Sequence, residues 1–267
     1  MEHNLISISN TLIKASYTLS LGERRLIYLF LGILDNRIRY EDRKQAIIVD
    51  GMLIEDSTVR VLVDELQPID PNEEYTIHVK DYAKVWDMEV RHAREELLKA
   101  ITTLFDRFII LKDANSNKEV KTRWISEMIT YNHDENTVGL CWAKSIIPFI
   151  SELRANFTSI KLRWLRELST PYAMRLYEYF CMELSKSRKK STICRLMVED
   201  LKAMLELEGK YELFGDITKR IIEPGLRDIN RNTNMRVSYK DSYGKKRYIK
   251  EGKRVVGVEF GVSWGLL

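Results

Sequence analysis

Basic side chains near the C-terminal end of the chain have the types and spacing that best fit a chemical task. Residues 210–254 contain 13 Lys or Arg and 6 Asp or Glu, which gives this stretch a net charge of +7. Thr218, Lys219 and Arg220 stand side by side in a helical pattern, and Arg227 follows two turns later. Arginine can donate two hydrogen bonds to one guanine edge, and lysine brings a movable positive charge to bases or phosphates. This set therefore predicts contact with DNA.

Two further groups of basic residues extend this prediction. Lys245, Lys246 and Arg247 fall at the tip of a predicted hairpin, where they would contact phosphates and carry little sequence information. Arg91 and Arg94 begin a helix in the first half of the chain, beside two glutamates that repel phosphate, so we expect weaker or purely positioning contacts there. For any single residue an ordinary solvated charge is an equally good interpretation, and only the set favours DNA.

Enzymatic chemistry has little support in the motifs. The sequence has no G-x-x-x-x-G-K-[ST] phosphate-binding loop, and its four histidines are far apart, without a metal-ligand spacing. Cys141, Cys181 and Cys194 form no C-x-x-C pair, and their odd number argues against a disulfide framework. We therefore expect buried thiols, no metal, no cofactor and no enzymatic activity.

The elements that would position the basic residues occur twice. Residues 19–34 and 168–184 both open with a Leu-Ser pair that can cap a helix, and both continue with apolar residues at helical spacing. Val79–Trp86 and Val198–Leu205 also share one pattern, in which a strand-like end is followed by an acidic residue and a short helix. Two matched landmarks in the same order indicate an internal duplication.

Each copy continues with a longer helix and then strands. The spacing of apolar residues predicts the longer helices at Glu89–Phe105 and Asp216–Asn230. Helix, strand, helix, longer helix and hairpin is the order of a winged helix. The sequence therefore predicts an α+β fold of two tandem winged-helix domains, 1–148 and 149–267. Pro224 conflicts with the second longer helix, because proline removes a backbone donor, and we expect a kink or a break there.

The predicted strands alternate in hydropathy and are separated by turn residues. They are 75–79, 108–112, 122–131 and 137–143 in the first copy, with a turn at 113–117, and 193–198, 235–239 and 255–262 in the second. Residues 35–74, which contain 11 acidic and 5 basic residues, are interpreted as an acidic insertion with short strands at 45–50 and 58–63.

The composition limits the class of protein. Hydrophobic residues make up 45% of the 267 residues and charged residues 31%, which fits a folded protein with a polar surface. No run approaches the roughly 18 apolar residues of a membrane span, and the first residues lack the basic and apolar segments of a secretory signal. We therefore expect a cytoplasmic protein that does not bind membranes.

Several runs of residues make the sequence resemble a known family. They are Phe157-Thr158, Lys161-Leu162-Arg163, Thr170-Pro171-Tyr172-Ala173-Met174-Arg175-Leu176-Tyr177-Glu178, Ala15-Ser16-Tyr17-Thr18-Leu19-Ser20 with Tyr28-Leu29-Phe30, Ile77-His78-Val79 with Tyr82-Ala83, and Glu223-Pro224 with Ile229-Asn230. These runs resemble the iteron-binding replication initiators of theta-replicating plasmids, of the F-plasmid type. The resemblance extends over about residues 10–262.

The resemblance implies more than the residue patterns predict. Members of the family bind direct repeats at a plasmid origin as monomers, dimerise through the first winged helix, and repress their own gene as dimers. Their partners are double-stranded origin DNA, the host initiator and the replicative helicase. On this chain Lys219 and Arg220 become the base-reading residues, with Thr218 where some members have arginine. Lys161 and Arg163 join the expected DNA contacts.

Two other functions are also compatible with the sequence. A winged-helix transcriptional repressor without an initiation role would share every DNA-binding feature, and an origin nickase would require metal-dependent cleavage of DNA. The acidic segment 35–74 is longer than the family pattern and adjoins the expected dimer-forming domain. It can cover that dimer surface, extend it or leave it unchanged.

Overall fold

The computed structural model describes residues 5–34, 39–49, 52–64, 69–112, 119–132, 136–151 and 156–265. In these ranges the helices are α1 (Asn10–Lys14), α2 (Leu21–Leu34), α3 (Val79–Trp86), α4 (Val90–Phe105), α5 (Ile147–Ile150), α6 (Leu162–Arg166), α7 (Pro171–Ser187), α8 (Val198–Leu205), α9 (Phe214–Ile217) and α10 (Glu223–Asn232). The strands are β1 (Leu5–Ser9), β2 (Arg39–Val49), β3 (Met52–Asp64), β4 (Tyr75–His78), β5 (Phe108–Lys112), β6 (Glu119–Arg123), β7 (Ile125–Asn132), β8 (Thr137–Trp142), β9 (Phe157–Lys161), β10 (Ser191–Met197), β11 (Met235–Ser238), β12 (Tyr248–Glu251) and β13 (Arg254–Trp264).

The two halves of the chain repeat one architecture. In the first half β8 lies between β4 and β7, and in the second half β13 lies between β10 and β11, with all four pairs antiparallel. The short helices α3 and α8 both have eight residues, and each is followed by a left-handed residue, Asp87 with φ 51° and Glu206 with φ 47°. The predicted duplication into two winged-helix domains is therefore confirmed, as is the α+β class.

One predicted strand is divided between two sheets. The sequence predicted a single strand at 122–131, whereas β6 pairs with β5 and β7 pairs with β8. Between them lies Trp124, which is 1% exposed and meets the Tyr17 ring edge-on, with 5.0 Å between the centroids. The strand pairing therefore changes from one sheet to the other at this buried indole. The predicted turn at 113–117 lies outside the described residues.

The acidic segment contains an antiparallel hairpin of β2 and β3. Its pairing begins with Arg39 opposite Asp64 and ends with Val49 opposite Met52. The predicted strands at 45–50 and 58–63 fall within these longer strands, except for Asp50, which lies outside the described residues.

Residues 214–232 form the longer helix of the second half, and they accommodate Pro224 through a π-helical turn instead of a break. The turn spans Thr218–Ile222, and the amide of Glu223 donates to the carbonyl oxygen of Thr218, five residues back. Pro224 then lies in the first turn of α10, where a missing N–H group costs little. We refer to α9, this turn and α10 together as the 214–232 helix.

Strand pairing and a buried ionic cluster are among the contacts that join the halves. β1 pairs with β9 along all five of its residues. Between α2 and α7, the Glu178 carboxylate accepts from Arg175 at 3.1 Å and from Arg24 at 3.4 Å, and each of these side chains is at most 3% exposed. Burial lowers the pKa of Arg175 to about 10, so its guanidinium is still protonated at neutral pH. The domain division after residue 148 stays a prediction.

Gly225 tests how closely α10 packs against α7. A Cβ atom there would lie 2.9 Å from Cδ1 of Leu176, which is fully buried and cannot swing into solvent. We expect Gly225→Val to lower the free energy of unfolding by about 1–3 kcal/mol through overpacking, measured by urea denaturation. Gly215→Val is the matched control, since a Cβ atom at that position meets nothing within 4 Å. Equal losses in the two variants would contradict the packing argument.

Candidate DNA-binding surface

The outer side of the 214–232 helix is basic. Lys219, Arg220, Arg227 and Arg231 are exposed, and we call these four residues the basic face. The apolar residues of the same helix are buried, namely Ile217, Ile221, Ile222, Leu226 and Ile229. Intervals of seven and then four residues separate the three arginines, which is the spacing of one helical side. The pattern that buries the isoleucines therefore directs the basic side chains outward.

Thr218 does not belong to the basic face. It is 3% exposed, and its hydroxyl donates to the carbonyl oxygen of Phe214 at 3.1 Å. The structure does not support the expectation that Thr218 contacts DNA, because its side chain is buried and bonds within its own helix. No local pattern indicates this burial, since a threonine between an isoleucine and a lysine suits either side of a helix.

A basic loop at residues 239–247 follows β11 and leads into β12. The Asp241 carboxylate accepts from the amides of Tyr243 and Lys245, at 2.9 and 2.8 Å. At the base of the loop, Lys240 and Lys246 form an isolated antiparallel bridge. Lys245 is exposed on this hydrogen-bonded loop, where it is accessible to a phosphate group.

Lys246 and Arg247 are more engaged than the sequence indicates. The Lys246 ammonium lies 3.9 Å from a carboxylate oxygen of Glu223 and over the rings of Tyr239 and Tyr248, at 5.8 and 5.7 Å from their centroids. Arg247 is half-buried, and its amide donates to the carbonyl oxygen of Tyr239. Both residues therefore have a structural task in addition to any contact with phosphate.

Glu223 ties this loop to the 214–232 helix. The Tyr239 hydroxyl donates to its carboxylate at 2.5 Å, and this bond, with the Lys246 charge, lowers the pKa of the Glu223 carboxyl despite partial burial. Tyr239 stacks on Tyr248 with 6.0 Å between centroids, and Tyr248 meets Phe214 edge-on at 5.5 Å. The relative position of loop and helix is thus fixed by hydrogen bonding, ionic attraction and aromatic packing.

A groove of about 310 Å³ separates the helix from the loop. Arg227 lines it from the helix and Lys240 from the loop, together with Asn230. Sequence reasoning did not select Arg231 or Lys240 as site residues. The four-residue spacing from Arg227 is a signal that would have found Arg231, whereas only the groove reveals Lys240.

Lys161 and Arg163 are exposed near the start of α6. The Arg163 guanidinium lies over the Trp164 ring, 4.5 Å from its centroid. Ser169, in the loop after α6, donates its amide and its hydroxyl to Asp228 of α10, at 2.9 and 2.8 Å. These bonds attach the loop that follows α6 directly to the 214–232 helix.

The equivalent helix of the first half, α4, carries Arg91 and Arg94, both of them exposed. Arg91 pairs with Glu95 at 3.3 Å, an exposed ion pair of the kind that water and salt weaken. Glu96 was expected to repel phosphate, but it accepts from Arg25 at 3.0 and 3.1 Å within the same half. Because both glutamates are paired with arginines, they repel phosphate less than the sequence of α4 indicates.

The described ranges show no arrangement of side chains for metal binding. No three His, Cys, Asp or Glu side chains there are grouped so that they could hold a metal ion. Cys141, Cys181 and Cys194 are buried free thiols, as predicted, and burial raises the pKa of Cys194 to about 12. Among the helices of these ranges, none is long and apolar enough to cross a membrane.

Family models match both winged helices. The model of the first winged helix, described as Initiator Replication protein, WH1, matches residues 5–181, and the model described as Initiator Rep protein, WH2, matches residues 197–262. The chain belongs to this family of replication initiators. The resemblance seen in the sequence is thereby confirmed, and it places the chain in a family of DNA-binding initiators, not of typical enzymes.

Two relatives from Escherichia coli are similar to part of this initiator. One, called Replication initiation protein, is 24% identical over 157 residues, which make up 58% of this chain and 48% of that protein. The other, called PI protein, is 27% identical over 158 residues, which make up 55% of this chain and 50% of that protein. The match thus spans about half the length of each relative.

A solved structure shares the fold across nearly the whole initiator. It is the crystal structure of Pi initiator protein in complex with iteron DNA. The similarity has a TM-score of 0.71 at 18% sequence identity and covers 99% of this chain and 98% of that one. The shared fold therefore includes both winged helices and their connection.

Arg220 tests whether the basic face contacts bases. A duplex selected by the protein from a random-sequence pool serves as specific DNA. We expect Arg220→Ala to weaken binding to it by about 1–3 kcal/mol, the usual value of one good base contact, and to affect random DNA less. Arg220→Lys keeps the charge but loses the two-donor fork, so it should restore little of the specific binding. Equal losses on both duplexes would make Arg220 a phosphate contact.

Lys245 provides a complementary test on phosphate contact. We expect Lys245→Ala to weaken specific and random binding equally and to reduce the slope of log K against log salt by about 1, measured by fluorescence anisotropy. Lys189→Ala is the matched control, because it removes the same charge away from the loop. Lys189 lies two residues before Ser191, which pairs with Ser263 near the end of β13, whereas β12 pairs with the start of β13. An unchanged slope for Lys245→Ala, or an equal change for Lys189→Ala, would contradict the assignment.

Proposed function

We propose that this initiator starts theta replication of a plasmid by binding repeated sequences, or iterons, at the origin as a monomer. As a dimer it represses its own gene. Double-stranded origin DNA is the direct partner, and the host initiator and the replicative helicase act at the opened origin. The protein works in the cytoplasm by binding, without a cofactor and without catalysis of its own.

The basic face beside the basic loop is the observation that carries this proposal. A helix with four exposed basic residues suits the major groove, where base edges can be distinguished, and loop lysines suit the adjoining phosphates. The crystallised Pi initiator protein, which has the same fold, is in complex with iteron DNA. That complex supports repeated origin DNA as the target of this chain as well.

Two winged helices in one chain explain why the target would be long. The 214–232 helix and α4 have equivalent places in the two copies, so a monomer offers two helices to successive parts of one duplex. Such a protein fits a repeat of about two helical turns, because major grooves on one side of DNA recur once per turn.

The two domains have different tasks in this proposal. Domain 149–267 reads bases through Lys219 and Arg220, with Arg227 and the 239–247 loop on nearby phosphates. Domain 1–148 contacts the DNA backbone through Arg91 and Arg94 and also forms the dimer. Its two arginines stand close to glutamates, so its contribution to affinity is the smaller one.

Plasmid maintenance tests the function directly. A plasmid that carries the gene with its flanking DNA and has no other origin should replicate in a suitable host. The same plasmid with Arg220→Ala should be lost or fall in copy number, because specific origin binding is reduced. Quantitative PCR of plasmid against chromosome measures the result, and intact protein supplied from a second replicon should restore maintenance.

The repressor alternative gives a different outcome in the same strains. A protein that lowers expression of a reporter fused to its own promoter, yet never supports replication of the plasmid, would contradict the initiation role. An initiator should do both, and Arg220→Ala should impair both.

A further inference from the structure

The buried ionic cluster of Arg24, Arg175 and Glu178 connects α2, in the first half of the chain, to α7, in the second half, through directional bonds. Arg24 lies on α2 of the first half, and the other two residues lie on α7. Glu178 accepts from Arg24 at 3.4 Å through one carboxylate oxygen and from Arg175 at 3.1 Å through the other. The Tyr28 hydroxyl, also on α2, donates to the first of these oxygens. One carboxylate is therefore held by both duplicated helices.

The Arg175 guanidinium extends this connection to two further segments. It donates to the Tyr17 hydroxyl at 2.7 Å and to the carbonyl oxygen of Ala15 at 2.8 Å, both in the segment before α2. It also donates to the carbonyl oxygen of Met204 in α8, at 3.2 Å. A planar group with several fixed donors thus joins parts of both winged helices, and rotation of one half against the other would break these bonds.

Stability alone does not account for the cluster. Two guanidinium groups face one carboxylate in a site that excludes solvent, and among the described residues the Nε atoms of Arg24 and Arg175 are buried without a hydrogen-bond partner. Apolar residues of similar volume commonly stabilise a core as well as such a cluster or better. What the ionic cluster provides, and apolar contacts do not, is a defined geometry.

We propose that the ionic cluster fixes the rotation between the two winged helices and so determines the spacing of the two DNA segments that one chain binds together. This inference rests on the proposed function. Arg24, Arg175 and Glu178 are positioning residues, since they are buried and contact no DNA. A rigid connection makes affinity depend sharply on spacing, because one added base pair turns the second segment by about 35° relative to the first.

Arg24→Met separates this role from folding. It removes the bond from Arg24 to Glu178 and leaves the bond between Arg175 and Glu178, both on α7, in place. Tyr28→Phe is a milder second variant that removes only one hydroxyl donor to Glu178. Thermal unfolding monitored by circular dichroism establishes that each variant is folded at the temperature of the binding assay.

Arg25→Met is a matched control on the same helix. Arg25 pairs with Glu96 at 3.0 Å and lies over the Trp86 ring, so its contacts stay within the first half. The substitution removes the same charge and introduces the same side chain one position away. It should alter first-domain stability without changing the connection between domains.

The experiment measures binding to a series of duplexes. Full-length wild-type protein first selects a site from random DNA, and hydroxyl-radical footprinting locates the two protected segments. One or two base pairs are then inserted or removed between the segments. We expect wild type and Arg25→Met to lose about tenfold or more for each change, and Arg24→Met to bind the best site more weakly but to lose less than about threefold, with Tyr28→Phe between them.

The outcomes separate this inference from the proposed function. A spacing profile for Arg24→Met as sharp as that of wild type would overturn the positioning role while leaving origin binding intact. An equally broad profile for Arg25→Met would also overturn it, by assigning the effect to general loosening of α2. A wild-type protein that selects no specific duplex would overturn the proposed function itself.

Discussion

Two interactions fix the position of helix α7: a buried ion pair and close packing against α10. Its Arg175 and Glu178 form the buried ion pair that faces the first winged helix, and its Leu176 packs against Gly225 of α10. A charged group inside a core needs its partner at the right distance, since a lone charge in a low-dielectric site is very costly. The position of α7 therefore links the placement of α2 to the placement of the 214–232 helix.

The exposed residues of the 214–232 helix are positioned by the packing of this helix against α7. Gly225 permits close approach to α7, and the neighbouring Pro224 is tolerated because a π-helical turn precedes it. That turn directs Thr218 inward while Lys219 and Arg220 stay exposed. Glu223 then holds the basic loop through Tyr239. Contacts within the fold thus determine where the exposed basic residues lie.

Electrostatics in this family member depends on pairing as well as on composition. In a count of charged residues, Glu96 repels phosphate and Lys246 attracts it. In the structure Glu96 is bonded to Arg25, and Lys246 lies close to Glu223 and to two tyrosine rings. Because a paired charge presents a weaker field to an approaching anion, the two domains differ less in their attraction for DNA than a residue count indicates.

The duplication, the winged-helix order of elements and the basic set around Arg220 were predictable from the amino-acid sequence. These features depend on local periodicity, capping residues and residue type, which can be recognised in the sequence alone. Three features came from the tertiary structure alone: the burial of Thr218, the division of one predicted strand between two sheets at Trp124, and the contact of Arg24 with Glu178. The burial of Thr218 depends on how its helix packs, and the other two features depend on contacts between residues far apart in the chain. No local pattern of residues encodes which distant partner will fill a buried site.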